Sequence, residues 1–317
     1  MNFQKVYTAT DVHVAGEAFR IIKDVPFVRY QSLEELNDQF PQAYEKETKL
    51  LLNEPRGFAG LNGCLVVPPF TSEADAAAIF FNHEGTVPMQ YGGVVAVITA
   101  LLECGQLKVR ETNEYKIETV SGVISVIASM ENDEVKSVEL ASGPCRVIQD
   151  NVALSYLDLQ SEAALVQADQ LYAIFDQSQV PFDIRMEDLA ELNQWGQKAT
   201  AALACTHPAD KVILLDRSRK DKGKIKTVTL RQDNYFVRSP GFGTTAAAIT
   251  YLLSNSDLTA DGLVENESIF HGKLTAELIK QTESGCEFKF KTRGFITGMQ
   301  SYVLDPTDPL SAGFLIK

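Results

Sequence analysis

A handful of side chains in this 317-residue chain stand out as candidates to move a proton. His13, Glu17, His83 and Glu84 are acid–base candidates by residue type, with Glu84 the first to test. Cys205, just before Thr206-His207-Pro208, is a lone thiol. A lone cysteine is by default a small buried hydrophobe, so Cys205 is expected to be buried and inert. His13, His83, His207 and His271 show no metal-ligand spacing, which predicts no metal site, and no cofactor is expected.

These residues are organised by a stretch that the chain contains twice. Val87-Pro88-Met89-Gln90-Tyr91-Gly92-Gly93 runs into an apolar segment, and Arg238-Ser239-Pro240-Gly241-Phe242-Gly243-Thr244 runs into another. At one constant offset Gln90 meets Gly241, Tyr91 meets Phe242 and Gly92 meets Gly243. Ile98-Thr99 meets Ile249-Thr250, and Leu101-Leu102 meets Leu252-Leu253. Each copy reads as an aromatic-Gly turn opening a helix that is apolar on all sides, over 92–104 and 243–254. Such a helix must be the buried axis of its own half. The first turn of a helix carries N–H groups without intrahelical partners and the positive end of the dipole. Neither copy places Ser, Thr, Asp or Asn directly before its glycine as a cap. Two uncapped helix starts facing a shared cleft would grip a small carboxylate. The alternative is that Gly92 and Gly243 only permit close packing. Thr244 and Thr245 could bond a ligand, but at a helix start they more often serve the backbone.

Composition sets the limits. Apolar content of 45% and charged content of 22% are ordinary for a globular protein. A net charge of −13 argues against a nucleic-acid backbone or an anionic membrane as partner. No apolar run approaches the ~20 residues that span a bilayer, and the N-terminus lacks a signal-peptide core. Five cysteines, Cys64, Cys104, Cys145, Cys205 and Cys286, are odd in number without CxxC pairing, which suggests reduced thiols and a cytoplasmic protein.

Along the chain, 5–14 and 19–30 read as strands around the turn Ala15-Gly16-Glu17. A capping-box helix starts at Ser32, breaks near Pro41 and resumes through Leu52. Strands are expected over 64–67, 76–81, 116–127 and 135–141, with Gly122 in a turn and Gly105 ending the first central helix. The second half opens with strands, then offers helices over 161–174 and 187–204, the latter striped by Leu189, Leu192, Trp195, Ala199 and Ala202. The charged run 216–224 reads as a solvated hairpin tip. Strands at 225–231 and 234–238 precede the second central helix, and 273–279, 287–291 and 294–304 close the chain. The expected domains are 1–147 plus 295–317, and 148–294.

The motifs resemble those of the proline racemase family, with its 4-hydroxyproline 2-epimerases and trans-3-hydroxyproline dehydratases. Asp11-Val12-His13-Val14-Ala15-Gly16-Glu17-Ala18-Phe19-Arg20 is similar to the family's opening D-x-H-x-x-G-E-x-x-R. Glu54-Pro55-Arg56-Gly57, His83-Glu84-Gly85 and the closing Asp305-Pro306-Thr307-Asp308-Pro309 through Gly313-Phe314 match further blocks in order. The resemblance implies an α+β, diaminopimelate-epimerase-like fold. It has two pseudo-symmetric domains, each a curled mixed β-sheet around a buried central helix, with a cleft between them. It also implies a small amino-acid or imino-acid carboxylate as ligand, and a monomer or a homodimer.

In that family one cysteine at each helix start carries the α-proton, in M-C-G-H-G and D-R-S-P-C-G-T-G-T. The helix dipole lowers its pKa, and the backbone donors stabilise the carbanion. This sequence puts Gln90 and Gly241 at the two cysteine positions and Gly92 at the histidine. Val237 stands where an aspartate receives the substrate's ring nitrogen. Neither Gln nor Gly exchanges a proton near neutral pH, so the two-thiol mechanism is excluded. Gly93, Gly243 and Thr244 remain as ligand-binding positions. Tyr91 and Phe242 add large rings that either turn inward and close the cavity or turn outward onto the other half. Three readings stay open: a family member that binds a small carboxylate without ordinary racemase activity, an isomerase or lyase using a non-cysteine base, and a scaffold with a filled pocket. The carboxylate base of the fold's phenazine-biosynthesis branch is the precedent that brings in Glu84.

Overall fold

A computed structural model of the chain describes residues 5–26, 28–233, 235–258, 262–305 and 307–316. Two units emerge, Met1–Leu140 with Thr292–Lys317 and Ala141–Lys291, and each repeats the same order of elements.

Unit 1 starts with β1 (Lys5–Val14), β2 (Glu17–Ile22), α1 (Leu33–Ala43), α2 (Glu45–Leu52), β3 (Leu61–Val67), β4 (Ala76–Asn82) and β5 (Gly85–Val87). It continues with α3 (Tyr91–Glu103), β6 (Glu114–Thr119), β7 (Gly122–Glu131) and β8 (Glu134–Ala141). Unit 2 contains β9 (Arg146–Tyr156), β10 (Leu159–Gln167), β11 (Leu171–Asp176), α4 (Leu189–Thr206), β12 (Lys211–Asp216) and β13 (Lys224–Arg231). Then follow β14 (Phe236–Val237), α5 (Phe242–Ser254), β15 (Leu263–Ser268), β16 (Lys273–Thr282) and β17 (Gly285–Thr292). Finally β18 (Gly294–Leu304) pairs antiparallel with β1, as β9 pairs with β10.

The pairing confirms an internal duplication. In unit 1 β1–β2 is antiparallel, β2–β3 parallel, β3–β4 antiparallel, β4–β6 parallel and β6–β7–β8 antiparallel. In unit 2 the series β10–β11, β11–β12, β12–β13, β13–β15 and β15–β16–β17 has the same senses. Helices fill the two parallel crossovers in each unit, because parallel neighbours cannot be joined by a tight turn.

One crossover in each unit carries the central helix, α3 in unit 1 and α5 in unit 2. Every residue of α3 from Gly92 to Leu102 is buried, as are Phe242–Thr250 and Leu252 of α5. Helix α3 ends as expected, with Cys104 as C-cap and Gly105 left-handed at φ 67°. The other helices form a second core layer: Leu36, Phe40 and Leu51 pack with Leu65, Ile79 and Phe81 in unit 1. In unit 2, Leu192, Trp195 and Ala199 pack with Phe175, Val212 and Leu230.

The structure departs from the expected elements in several places. The segment 161–174 is no helix but the β10–β11 hairpin, turned by an Ala168 N–H to Gln170 carbonyl bond of 2.9 Å. Four consecutive buried residues, Ala163–Val166, mark a strand covered on both faces, a pattern that an alanine-rich segment shares with a buried helix. Pro41 lies inside α1, and the chain turns instead at Tyr44. Strand β2 stops at Ile22, with Phe27 outside the described residues. Residues 116–127 divide at Gly122 (φ 110°) into parts of β6 and β7. The 234–238 strand shrinks to the two residues of β14, with Asn234 outside the described residues. Cys205 is exposed rather than buried. The stripe that buries α4 ends on Ala202 and Leu203, and Cys205 falls off it in the last turn.

Candidate functional site

The starts of α3 and α5 lack a side-chain cap, as those of α2 and α4 do, but unlike those two they also carry no acidic residue in the first turn. Gln90 caps α3 only through its backbone, in extended geometry (φ −145°, ψ 99°), and no acidic residue lies in the first turn. Gly241 caps α5 at φ 72°, ψ 134°, a conformation that favours glycine, again without a side-chain cap. A threonine ladder secures that turn. Thr245 Oγ1 donates to the Gly241 carbonyl (2.7 Å), and the fully buried Asn266 donates from Nδ2 to Thr245 Oγ1 (2.9 Å) and Thr227 Oγ1 (3.0 Å). Thr244 bonds to Thr229 (3.0 Å) and is buried, so its side chain serves the protein and only its backbone is left for a ligand.

The ring of Phe242 packs within its own unit. It is buried edge-on against Phe290 of its own unit, with centroids 5.1 Å apart, because Phe290 gives it an aromatic edge in the same core. Tyr91 is half-buried, and Val237 lies in β14 opposite Thr229. Gly93 serves close packing: a methyl group there would lie 2.7 Å from the Phe80 ring and 3.4 Å from Cys64 Sγ.

Of the acid–base candidates, Glu17 meets the start of α3. Its Oε1 accepts from Gln90 Nε2 (3.4 Å) and Asn62 Nδ2 (3.2 Å). The other amide atom, Gln90 Oε1, is buried with no hydrogen-bond partner. Glu84 is exposed in the β4–β5 turn, where its N–H donates to Asn82 Oδ1 (2.7 Å). The Nε2 of His83 lies 3.1 Å from the Phe58 carbonyl. The ring of His13 stacks on Phe295 at 5.0 Å, and burial lowers its pKa, which favours a neutral ring.

Buried thiols do not replace the expected ones. Burial, reinforced by Glu17, pushes the Cys64 thiol up, and burial pushes Cys145 up to about 12 and raises Cys286. Each stays protonated near neutral pH.

Three motif blocks brace the turn that carries Glu17. Asp11 and Arg20 are cross-strand partners and form a bidentate pair at 2.8 and 2.7 Å. Arg20, 3% exposed, also donates to the carbonyls of Leu51 and Arg56 (2.8 Å) and lies over the Tyr302 ring. Arg56 in turn pairs with Asp308 (2.5 Å), and Glu54 and Phe314 exchange backbone bonds of 2.9 and 3.0 Å.

Unit 2 offers a residue that sequence reasoning missed. Asp169, exposed in the β10–β11 turn, accepts from the Tyr172 hydroxyl (2.9 Å) and lies against Gly243 in the first turn of α5. A methyl group at Gly243 would overlap Asp169 Oδ1 and the Tyr172 hydroxyl. The equivalence of the β1–β2 and β10–β11 turns was the available signal, and a helix over 161–174 conceals it. Among the described residues no group of three His, Cys, Asp or Glu side chains could hold a metal ion. No helix among them is long and apolar enough to cross a membrane.

Comparison with known proteins agrees with the duplicated fold. The family model described as proline racemase matches residues 9–315. The chain belongs to the proline racemase family. It is 29% identical to a trans-3-hydroxy-L-proline dehydratase of Bacillus thuringiensis subsp. konkukian, covering 100% of both chains. It is 25% identical to a 4-hydroxyproline 2-epimerase of Shewanella loihica, covering 98% of each. A crystal structure of a hydroxyproline epimerase from Agrobacterium vitis, with bound trans-4-OH-L-proline, superposes with a TM-score of 0.86 at 22% identity. It covers 100% of this chain and 96% of that one, and establishes the shared α+β fold.

Proposed function

We propose that this proline racemase family member binds a small amino-acid or imino-acid carboxylate at the starts of α3 and α5, without the ordinary racemase or epimerase chemistry of two thiols. The single observation that carries this reading is that each of these buried helices starts with neither a side-chain cap nor an acidic residue in its first turn. The N–H donors and the dipole of a helix start suit a carboxylate, and relatives named for proline and hydroxyproline supply the ligand class. Gln90 and Gly241 stand at the positions read as the thiol sites, so the carboxylate is held without a thiol to move its α-proton.

A second reading is favoured by one contact. Glu17 bonded to Gln90 puts a carboxylate beside the α3 start, as an isomerase or lyase with a non-cysteine base requires. It displaces Glu84 as the first residue to test.

Calorimetry with L-proline and trans-4-hydroxy-L-proline, joined to chiral chromatography of the same mixtures, tests the proposal. The expected result is saturable binding of at least one ligand, with proline interconversion and hydroxyproline epimerisation no faster than the protein-free control over an hour. The double substitution Gln90→Cys with Gly241→Cys is expected not to restore racemisation, since Val237, Tyr91 and Phe242 remain. Rapid proline turnover by the wild-type protein would overturn the reading, and robust turnover by the double variant would show that Val237 and the two rings matter less than argued.

A further inference from the structure

Two buried free thiols face each other inside unit 2. Cys145, just before β9, and Cys286, in β17, are antiparallel bridge partners. Each donates its N–H to the other's carbonyl, at 2.8 and 2.7 Å. The pairing continues at Ser142, whose N–H donates to the Phe288 carbonyl (2.8 Å) and whose Oγ accepts from the Phe288 N–H (3.0 Å). Residues directly opposite in such a pair send their side chains to one face, with Cα atoms about 5.5 Å apart. A disulfide spans Cα separations of about 4.4–6.8 Å, so the backbone already lies within its reach. Opposed Cβ atoms lie about 4.5–5.5 Å apart, so closing the bond draws them together by about 1 Å. Cys145 stands outside the named strands, behind Gly143-Pro144, where the backbone can give that much. Both thiols also lie beside the Thr250 hydroxyl of α5, which gathers the two sulfurs around one atom. Of the remaining cysteines, Cys64 faces Ile21 and Phe80 across its strands, Cys104 caps α3, and Cys205 is exposed at the end of α4.

We infer that Cys145 and Cys286 form a reversible disulfide under an oxidising thiol–disulfide pool, a redox site that ties the lead-in of the first strand of unit 2 to its last strand. The co-reactant is a small disulfide such as oxidised glutathione. The Cys286 thiol gives its proton to solvent and its thiolate attacks one glutathione sulfur. That S–S bond breaks, and one glutathione leaves as thiolate. The Cys145 thiol loses its proton in turn and attacks the Cys286 sulfur of the mixed disulfide, which releases the second glutathione. Two electrons pass from the cysteine pair to oxidised glutathione, and two protons leave with them. Cys286 reacts first, being 5% exposed against 0% for Cys145. Burial keeps both thiols protonated, so the exchange waits on local opening and is slow. The closed loop holds every element from β9 to β16, with α4 and α5 among them, and stabilises the unit by restricting the unfolded chain.

The test equilibrates the full chain with excess oxidised over reduced glutathione in mild urea, which speeds opening, and then removes the urea. A protease digest without reductant is read by mass spectrometry, and the intact protein is melted. The expected result is a peptide joining Cys145 to Cys286 and a melting temperature raised by roughly 5–10 °C over the reduced protein. Dithiothreitol is expected to reverse both in the wild type. Cys205→Ser keeps the link and the shift, and Cys286→Ala loses both. Recovery of Cys145 and Cys286 unlinked, as free thiols or as separate glutathione adducts, overturns the inference. A link that leaves the melting temperature where it was removes the claim that the bond holds the unit.

Discussion

Replacing Arg20 by methionine is expected to destabilise the protein by about 3–5 kcal/mol, read from urea unfolding. Arg20 is 3% exposed and holds the bidentate pair with Asp11 together with the carbonyls of Leu51 and Arg56. The methionine keeps most of the packing on Tyr302 but leaves the Asp11 carboxylate with no guanidinium. Removing one partner of a buried pair costs far more than the net worth of the pair. The double change Arg20→Met with Asp11→Leu is therefore expected to recover much of the loss. A single-variant loss under about 1 kcal/mol would show that the three motif blocks are not joined through Arg20.

The second large effect belongs to unit 2. Asn266→Ala deletes the fully buried amide that bonds Thr227 and Thr245, leaving a cavity and two hydroxyls short of partners. Cavity and unmade hydrogen bonds together cost about 2–4 kcal/mol. Because Thr245 also holds the Gly241 carbonyl, the α5 start loosens, and ligand affinity is expected to fall along with stability. Thr250→Ala, further along the helix beside the Cys145 and Cys286 thiols, serves as the comparison, with affinity unchanged. Equal affinity in Asn266→Ala and wild type would mean that the turn needs no such support.

These residues also show what the sequence made legible. The buried central helices followed from a repeated aromatic-Gly turn and two segments without a polar face, while the α+β class came with the family resemblance. The motif blocks carried the family, since Asp11 and Arg20 sit across a hairpin that their spacing closes. The acid beside α5 was not legible. Asp169 lies in a turn between two alanine-rich buried strands, and local periodicity cannot tell such strands from a buried helix. Side-chain direction was equally beyond reach. Phe242 turned onto Phe290, and Cys205 turned to solvent, because long-range packing and one helical increment decide those outcomes.

The central claim is that the uncapped starts of α3 and α5 hold a small carboxylate. Titrating trans-4-hydroxy-L-proline or L-proline into the deuterated, 15N-labelled protein tests it most directly. Saturable shifts are expected at the amides of Tyr91, Gly92 and Gly93 and of Phe242, Gly243 and Thr244, with one common dissociation constant. Saturable shifts confined to other residues, or no shift at these six amides at millimolar ligand, would contradict it.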